Sequence, residues 1–424
     1  MAPSLSEKLS TAGMLLSATT KSTFKYAVHG PRLPGWKLKN QLHRDLFYAF
    51  VSSSTPQIFD DSTLDTIDVQ AIGAEMQANP LPEKKLTAKQ GIYKVIGIPS
   101  KQVTFDTDKF GSIGVGKDDM ISLIEKDAQE DGAGREISCE LVVATSAKNK
   151  LGQHAAEGDK SLLTCAPVCK GESILLYVHG GGFALGNSAG YRHITCQLSE
   201  SCAVRVLSVD YRLAPQKPFP SQVYDVLVAY KYLLQQGFAA ENITVSGDSA
   251  GGTLAIALTH LLRFIGTPVP GALVLLSPWS NLVETKPSVE ANKDFDFVVL
   301  RPLESPISNP RLLYKPGQRL TPEMRLEMQD PLVSPYFGDF KDFPPTLVQA
   351  GSKEVLIDDI EALVKAIDDQ NPGNSDAVVF EPATDMYHVF QNFPDYPESV
   401  KAYASIGKFV AKWTASQSSP ANAE

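Results

Sequence analysis

This 424-residue sequence lacks both a long apolar run and an excess of basic residues. No stretch approaches the roughly 18 apolar residues of a membrane-spanning helix, so we expect no membrane span. Lys and Arg number 39 against 48 Asp and Glu, which gives a formal net charge of −9. Because phosphate binding needs a basic face, this balance argues against a nucleic-acid partner. The first residues lack the basic start and unbroken apolar core of a signal peptide, which predicts a cytoplasmic protein.

Cysteine is scarce and irregularly placed in this sequence. An odd count without a repeated spacing predicts reduced, structural thiols in a cytosolic setting. Cys165 and Cys169 are four residues apart, but no second pair of Cys or His answers them, so we expect no metal site. No cofactor is expected either. The five cysteines are Cys139, Cys165, Cys169, Cys196 and Cys202.

The pattern divides the chain into an N-terminal helical or cap region over 1–90 and a catalytic domain over 91–424. Residues 106–136, which are rich in Asp, Lys and Gly, predict an exposed insertion in that domain. In the N-terminal region an apolar stripe recurs at helical spacing. We interpret it as a helix packed on the domain; the alternative is a lid over a substrate pocket or a membrane-touching surface. The stripe consists of Leu38, Leu42, Leu46, Phe47 and Phe50.

From about residue 137, short β-rich runs alternate with segments of helix length. Several runs are continuously apolar, as strands covered by helices on both faces must be. This alternation predicts an α/β fold with a mainly parallel sheet. The gap at 281–345 is too long for a bare connection, so we expect a cap insertion with one or two short helices near the site. The candidate strands lie at 137–145, 173–179, 203–211, 242–247, 272–277, 346–351 and 377–381.

Two glycine-rich motifs, each beside an apolar strand, carry the chemistry of the chain. GDSAGG at 247–252 fits G-x-S-x-G, a sharp strand-to-helix turn that exposes a serine hydroxyl, here that of Ser249. HGGGFALGN at 179–187 is a loop whose backbone N–H groups can converge on a developing negative charge. A nucleophile and an anion site in this arrangement indicate acyl transfer. The predicted oxyanion hole consists of the N–H groups of Gly181, Gly182 and Ala250.

A serine hydroxyl needs a base to take its proton, and the sequence holds seven histidines. In this type of turn the order along the chain is serine, acid, histidine. Histidines before Ser249 do not fit that order, and among them His179 is expected to support the glycine loop. His260 lies on the helix that follows the serine and is expected to point away from the sheet edge. His388, in DMYHVF after the last candidate strand, is the predicted general base.

The third member of the triad, an acid, must hold the imidazole in the right tautomer and should follow a strand between the serine and the histidine. The segment GSKEVLIDD at 351–359 follows such a strand. Glu354 comes three residues after the strand, where its side chain can reach over the sheet edge, and is the predicted acid. The two aspartates of the segment are expected in the first turn of the next helix, where acids favour the helix dipole. The alternatives that stay open are Asp358 first, then Asp359 and Asp385.

Further motifs extend the pattern: DYRLAP at 210–215, SPW at 277–279, GxxExLxDD and a late MYHVF. Together with the glycine motifs they resemble the hormone-sensitive-lipase branch of the α/β-hydrolases over residues 137–412. The resemblance implies an α/β-hydrolase fold with a mostly parallel eight-stranded sheet, helices on both faces and a helical cap. It implies a small-molecule ester as substrate and a tendency to form homodimers. The site residues it implies are Ser249, Glu354 and His388, with Gly181, Gly182 and Ala250 as the oxyanion hole.

The sequence departs from this branch at two positions. The triad acid of the branch is usually Asp, whereas this chain has Glu354. After DYRLAP most relatives carry Glu where this chain has Gln216, so any ion pair made there is absent. The first departure concerns the acid, and the second is expected to affect packing rather than chemistry.

The sequence therefore predicts a serine carboxylic-ester hydrolase that forms an acyl-enzyme from a small or medium acyl ester. An alternative keeps the same groups for a lactone or thioester, or for acyl transfer in specialised metabolism, because the N-terminal region matches nothing in the motif set. A third alternative is a non-catalytic small-molecule receptor, because some relatives have become receptors. Those relatives have lost the histidine, whereas this chain retains it. Phe183, Trp279 and Tyr387 flank the motifs and are explained equally as pocket lining or as core packing.

Overall fold

The computed structural model describes residues 5–53, 65, 67–78, 82–129, 135–151, 162–167, 169–306 and 308–415. Within these segments eight strands form one sheet: β1 Gly91–Pro99, β2 Glu136–Ala144, β3 Ile174–Val178, β4 Arg205–Val209, β5 Ile243–Asp248, β6 Ala272–Leu276, β7 Thr346–Gly351 and β8 Val378–Ala383. Their order in the sheet is β1-β2-β4-β3-β5-β6-β7-β8. The β1–β2 and β2–β4 pairs are antiparallel, and the other neighbouring strands are parallel. This is the mostly parallel eight-stranded sheet of the prediction.

Helices connect the strands and precede the sheet. The N-terminal segment contains α1 Leu5–His29, α2 Leu38–Ser53 and α3 Val69–Ala78. The helices that follow are α4 Lys117–Gln129, α5 Thr145–Leu151, α6 Arg192–Cys202, α7 Ser221–Gln235, α8 Ala250–Phe264, α9 Ser288–Asn292, α10 Asn309–Tyr314, α11 Pro322–Glu327, α12 Ile357–Gln370 and α13 Pro397–Ala415. Among the helices of the described segments, none combines the length and the apolar character that crossing a bilayer requires.

The sheet is covered on both faces, because its central strands β3 to β7 are buried at every position. Side chains alternate between the two faces of a strand, so Leu176 and Val178 of β3 join one cluster and Leu175 and Tyr177 join another. Helices α7 and α8 bury their apolar faces in the first cluster. Helices α6 and α13 do so in the second. The loops that follow the parallel strands therefore lie together at the carboxyl edge of a sheet that helices cover on both faces.

The seven candidate strands are present in the structure, but the edge strand β1 was not predicted. β1 pairs with β2 along its whole length, from Gly91 opposite Ala144 to Pro99 opposite Glu136. Several of its side chains face solvent, and Val95 is 57 % exposed. An edge strand with one solvated face carries a weaker apolar pattern than a buried one, which is why the sequence did not reveal it.

The prediction that residues 106–136 form an exposed insertion was wrong for the part that the structure describes. A 3₁₀ turn at Thr107–Ser112 and helix α4 place four apolar side chains in the main core cluster. The charged residues between them occupy the outer face of α4, so the composition hid a stripe at helical spacing. The buried side chains are Phe110, Ile113, Met120 and Ile124.

The long segment at 281–345 contains α9, α10 and α11, which is more helix than the one or two short helices of the prediction. Helix α10 reaches the glycine loop, because the Asn309 side-chain N–H donates to the carbonyl of Gly182 at 2.8 Å. In α11 the Thr321 hydroxyl caps the helix by accepting from the N–H of Met324 at 3.1 Å. The segment thus lies beside the loops that the motifs predict to be functional.

The N-terminal segment packs on the same side of the molecule. Phe47 of α2 contacts Phe297 and Phe393, with ring centroids 5.2 and 5.4 Å apart. This agrees with the interpretation of the stripe as a packed helix, although the side chain of Phe50 lies outside the described residues. Helix α3 packs on the DYRLAP loop, where the Gln77 side chain donates to the Ala214 carbonyl at 3.1 Å and to Gln216 Oε1.

Candidate active site

The turn at Ser249 has the strained geometry that its motif predicts. Ser249 has φ 53° and ψ −120°, directly after β5 and directly before α8. A Cβ on Gly247 would lie 2.4 Å from the backbone of Gly251, and one on Gly251 would lie 2.0 Å from the carbonyl oxygen of Val178. Glycines therefore flank the serine because the backbones approach too closely for side chains. The serine itself is only half-buried, at the carboxyl edge of the sheet.

The glycine loop after β3 lies next to this turn because β3 and β5 are neighbouring parallel strands. Gly181 and Gly182 have φ of 109° and 60°, in the left-handed region that favours glycine. A Cβ on Gly181 would lie 2.2 Å from the carbonyl oxygen of Leu185. The two predicted glycine donors and Ala250, the first residue of α8, therefore leave adjacent strands at one edge. That is the arrangement an anion-binding site between the two loops requires.

Asp248, the residue before the serine, joins the two loops. Its carboxylate is buried and accepts hydrogen bonds from the Gly180 N–H at 2.8 Å and the Tyr177 hydroxyl at 2.5 Å. Burial raises the pKa of Asp248 to about 6, although both hydrogen bonds oppose this. This contact of Asp248 was not predicted, although the place of the residue in GDSAGG is a usable signal.

His179 supports the glycine loop, as expected. Its Nδ1–H donates to the Gly180 carbonyl at 2.7 Å, and its ring stacks on Tyr211 with centroids 4.3 Å apart. The Tyr211 hydroxyl in turn donates to the His179 carbonyl at 2.9 Å. Burial lowers the pKa of His179, which keeps its ring neutral.

Glu354 and His388 lie in contact on the loops after β7 and β8. His388 Nδ1 is 3.0 Å from Glu354 Oε2, with the histidine side chain 5 % exposed and the glutamate fully buried. A carboxylate only accepts, so Nδ1 carries the proton and Nε2 is left free to act as a base. Burial alone would lower the pKa of His388, but the carboxylate of Glu354, helped by Asp296 and Asp248, raises it above its ordinary value.

Ser277 holds both members of this pair and was not predicted. Its hydroxyl donates to Glu354 Oε1 at 2.6 Å and accepts from the Val389 N–H at 3.0 Å. The Gly351 N–H also donates to Glu354 Oε1, at 2.5 Å. In the same loop, the Trp279 N–H donates to the Ser249 carbonyl at 3.2 Å. The SPW motif therefore touches the segments of all three predicted triad residues, a role its presence in the sequence did not reveal.

The alternative acids have other partners. The Asp358 carboxylate accepts from the Ser288 N–H at 2.8 Å, and Asp359 accepts from the N–H groups of Ser280 and Asn281. The backbone of Asp385 is held by Ser352 and Trp36 instead. His260 is buried on α8 with Nε2 3.3 Å from the Pro335 carbonyl, so it is the helix-face residue that was expected.

A small cleft lies beside the SPW loop, and neither Ser249, His388 nor the glycine loop lines it. Trp279 lines this cleft, whereas Phe183 and Tyr387 are fully buried packing residues. Among the described residues no group of three or more His, Cys, Asp or Glu side chains is arranged to hold a metal ion. The apolar residues that line the cleft are Trp279, Leu282, Val283, Val289, Leu300, Leu303, Pro310, Val355 and Leu356.

Comparison with known proteins places this architecture in a family. The sequence model of the α/β hydrolase fold matches residues 175–392, slightly more than half of the chain, and the chain belongs to that family. An acetyl-hydrolase of Streptomyces hygroscopicus is 38 % identical over 240 residues, which are 56 % of this chain and 74 % of that protein. An esterase of Acinetobacter venetianus is 34 % identical over 239 residues, again 56 % and 74 % of the two chains.

Solved structures agree with the sequence matches. The crystal structure of an esterase from the bacterial hormone-sensitive lipase family superposes with a TM-score of 0.55 at 26 % identity, covering 98 % of this chain and all of that one. An esterase/lipase from an uncultured bacterium has a TM-score of 0.57 at 22 % identity and shares the fold. The protein is therefore an α/β-hydrolase similar to the hormone-sensitive lipases, and it is a hydrolase that acts on ester bonds.

Proposed function

We propose that this chain is a serine carboxylic-ester hydrolase that forms an acyl-enzyme from small or medium acyl esters. The observation that carries the proposal is the 3.0 Å contact of His388 Nδ1 with Glu354 at the sheet edge where the Ser249 turn also lies. This contact leaves Nε2 of the histidine available to take the proton of a serine hydroxyl.

The reaction has two halves. Ser249 Oγ attacks the ester carbonyl while His388 Nε2 takes its proton, and Glu354 stabilises the resulting imidazolium. The N–H groups of Gly181, Gly182 and Ala250 hold the oxyanion, assisted by the positive end of α8. Collapse of this intermediate breaks the ester C–O bond, and His388 returns its proton to the leaving alcohol. Water then attacks the acyl-enzyme by the same route and releases the acid and the free serine.

The acyl-group size in the proposal is supported by the name of one relative, the acetyl-hydrolase of Streptomyces hygroscopicus. The cleft beside Trp279 is lined by neither Ser249 nor His388, and it adjoins the serine turn through the Trp279 N–H, which donates to the Ser249 carbonyl.

An acyl-chain series of p-nitrophenyl esters from acetyl to palmitoyl, hydrolysed by wild-type protein and Ser249→Ala, tests the proposal. We expect turnover of the short esters and a loss of at least about 10³-fold in kcat for the variant. Ser246→Ala is the matched control, because this buried hydroxyl on β5 has no hydrogen-bond partner among the described residues. Undiminished hydrolysis by Ser249→Ala would rule out the assignment.

The pH dependence of kcat/KM tests the role of the histidine. A general base must be neutral, and the pKa of His388 is raised above its ordinary value. Activity is therefore expected to be full above this raised pKa and to fall as the pH falls through it. The acid limb of the profile should lie above about pH 6.5. A limb well below that pH would be inconsistent with the ion pair of Glu354 and His388.

A second candidate keeps the same groups but changes the substrate. The family match covers 175–392 and leaves the N-terminal segment outside it, so that segment is free to shape a site for a lactone, a thioester or another acyl acceptor. Labelling of Ser249 by a fluorophosphonate, combined with negligible turnover of the generic esters, would favour this candidate. Failure of any activated ester or fluorophosphonate to modify Ser249 would instead favour a non-catalytic receptor.

A further inference from the structure

A second buried carboxylate touches the loops of both predicted partners of the serine. Asp296 lies four residues after α9 and is fully buried. Its Oδ1 accepts from the N–H of Phe297 at 2.7 Å and from the N–H of His388 at 3.3 Å. Its Oδ2 accepts from the N–H of Val355, the residue after Glu354, at 2.8 Å. One carboxylate therefore bridges the backbone of the base and the backbone next to the acid.

We propose that Asp296 is a positioning residue, which fixes the loops of His388 and Glu354 at the separation that their contact requires. The inference rests on the proposed roles of these two residues. The loops follow different strands. Beyond Gly351 and Ala383 the Ser352 N–H donates to the Ala383 carbonyl at 2.9 Å and the Lys353 N–H to the Met386 carbonyl at 2.8 Å, whereas Asp296 joins the loops farther on, at Val355 and His388. A carboxylate with two oxygens suits this role, because it accepts from both loops at once.

Helix α9 adds two further ties to the acid loop. The Asn292 side-chain N–H donates to the Glu354 carbonyl at 2.8 Å, and the Ser288 hydroxyl donates to the Val355 carbonyl at 2.7 Å. Both side chains are buried. Three side chains from α9 and the turn after it therefore bond to the backbone at Glu354 and Val355. Ser288 and Asn292 donate to carbonyl groups, and Asp296 accepts from an N–H group.

The N-terminal segment secures this turn from outside. Arg44 of α2 is 5 % exposed, and its guanidinium donates to the carbonyls of Asp296 and Lys293, each at 2.9 Å. Both acceptors are main-chain oxygens, so Arg44 fixes the path of the turn rather than neutralising the Asp296 carboxylate directly. The N-terminal segment thereby supports the turn that positions the general base.

The charge of Asp296 gives the proposal a readout that a purely structural role lacks. The charged groups that face it are His388 and Glu354 on the strand loops and Arg44 on α2. Burial raises the pKa of Asp296 to about 6, so it carries its charge at pH 8. Together with Glu354 and Asp248 it raises the pKa of His388, against the lowering effect of burial. Neutralising Asp296 should therefore lower the pKa of the base.

The test compares wild-type enzyme with Asp296→Asn on a short p-nitrophenyl ester across the pH range. We expect kcat to fall at least about tenfold with KM little changed. This loss is smaller than the roughly 10²- to 10⁴-fold that general acid–base catalysis contributes as a whole, because the base is misplaced rather than removed. The acid limb should move to lower pH by about one unit, because a nearby charge has been removed. A wild-type kcat together with a wild-type acid limb would overturn the proposal.

Asp330→Asn is the matched control. This aspartate also bridges two backbone segments, accepting from the N–H groups of Val115 and Leu332, each at 2.9 Å, but it lies outside the histidine network. We expect it to lower stability without moving the acid limb. If it moved the limb as Asp296→Asn does, the proposed specificity of Asp296 would be refuted.

If Asp296→Asn fails to fold, Arg44→Gln tests the positioning role of Asp296 instead. The variant loosens the turn through its carbonyls and leaves the carboxylate in place, so we expect kcat to fall severalfold while the acid limb does not move down. An unchanged kcat in this variant would overturn the proposal. If Ser249→Ala hydrolysed the esters as fast as wild type, the proposed function would be refuted instead. Failure of the positioning role and failure of the proposed function are therefore distinguishable.

Discussion

Helices α8 and α1 are attached to the molecule in opposite ways. α8, which begins after Ser249, buries 13 of its 15 residues in the core. α1 packs against α2 and leaves Leu16, Phe24 and Val28 between 56 % and 69 % exposed. The proposed nucleophile thus precedes an element fixed by close packing on the sheet, whereas the N-terminal segment reaches the site through a small aromatic cluster around Trp36 and Phe47 and through individual hydrogen bonds. Substitutions in the first region should affect the fold and the chemistry together, and those in the second should affect single attachments.

The largest effect is expected for Gly251→Ala in α8. The added Cβ would lie 2.0 and 2.7 Å from the carbonyl oxygens of Val178 and His179, which are backbone atoms of the adjacent strand and loop. We expect the free energy of unfolding, measured in urea, to fall by about 3 kcal/mol or more. Gly13→Ala in α1 is the control, since no described atom lies within 4 Å of its added Cβ. There alanine should stabilise by about 0.5–1 kcal/mol, and equal losses at both sites would break the comparison.

Glu354→Gln tests the chemistry of the sheet edge without changing its packing. The amide keeps the shape of the side chain but no longer stabilises the imidazolium, so kcat should fall by about 10³- to 10⁴-fold with the fold intact. Asp358→Asn separates this residue from the leading alternative, because it only weakens the hydrogen bond to the Ser288 N–H. Steady-state kinetics on a short ester decide the point: a larger loss for Asp358→Asn would exchange the two assignments.

The smallest effect is expected for Trp36→Phe in the N-terminal segment. The variant loses the hydrogen bond from the indole N–H to the Asp385 carbonyl, 2.6 Å long, but keeps a ring that packs on Tyr387. The free energy of unfolding should fall by about 1 kcal/mol. Phe24→Ser, on the exposed face of α1, should stay within about 0.5 kcal/mol of wild type. A large loss for Phe24→Ser would show that α1 is held more firmly than its exposure indicates.

The strands and the candidate triad were predictable because their information is local. Ser249 lies in a motif whose glycines are required by backbone contacts of its own turn. His388 and Glu354 followed from the order of residues along the chain and from the ends of predicted strands. The edge strand β1 and the buried face of α4 were missed, because solvated faces and charged neighbours obscure an apolar pattern.

The residues that hold the site together were not predictable in the same way. Ser277 and Glu354 are 77 residues apart, and Asp296 and His388 are 92 apart. Serine and aspartate are common on any surface, so their burial against the predicted acid and base is a property of the folded chain alone. Sequence order predicts the groups that we propose to react, whereas tertiary contacts identify the groups that hold them.

The bond from the Gly180 N–H to the Asp248 carboxylate has a consequence for the entropy of substrate binding. It makes the glycine loop and the serine turn a single body, anchored on two neighbouring strands and closed by the Tyr177 hydroxyl. Under the proposed function, an ester at Ser249 meets the donors of two loops that are already joined. Its binding energy is then not spent on ordering these loops and remains available to lower the barrier of the chemical step.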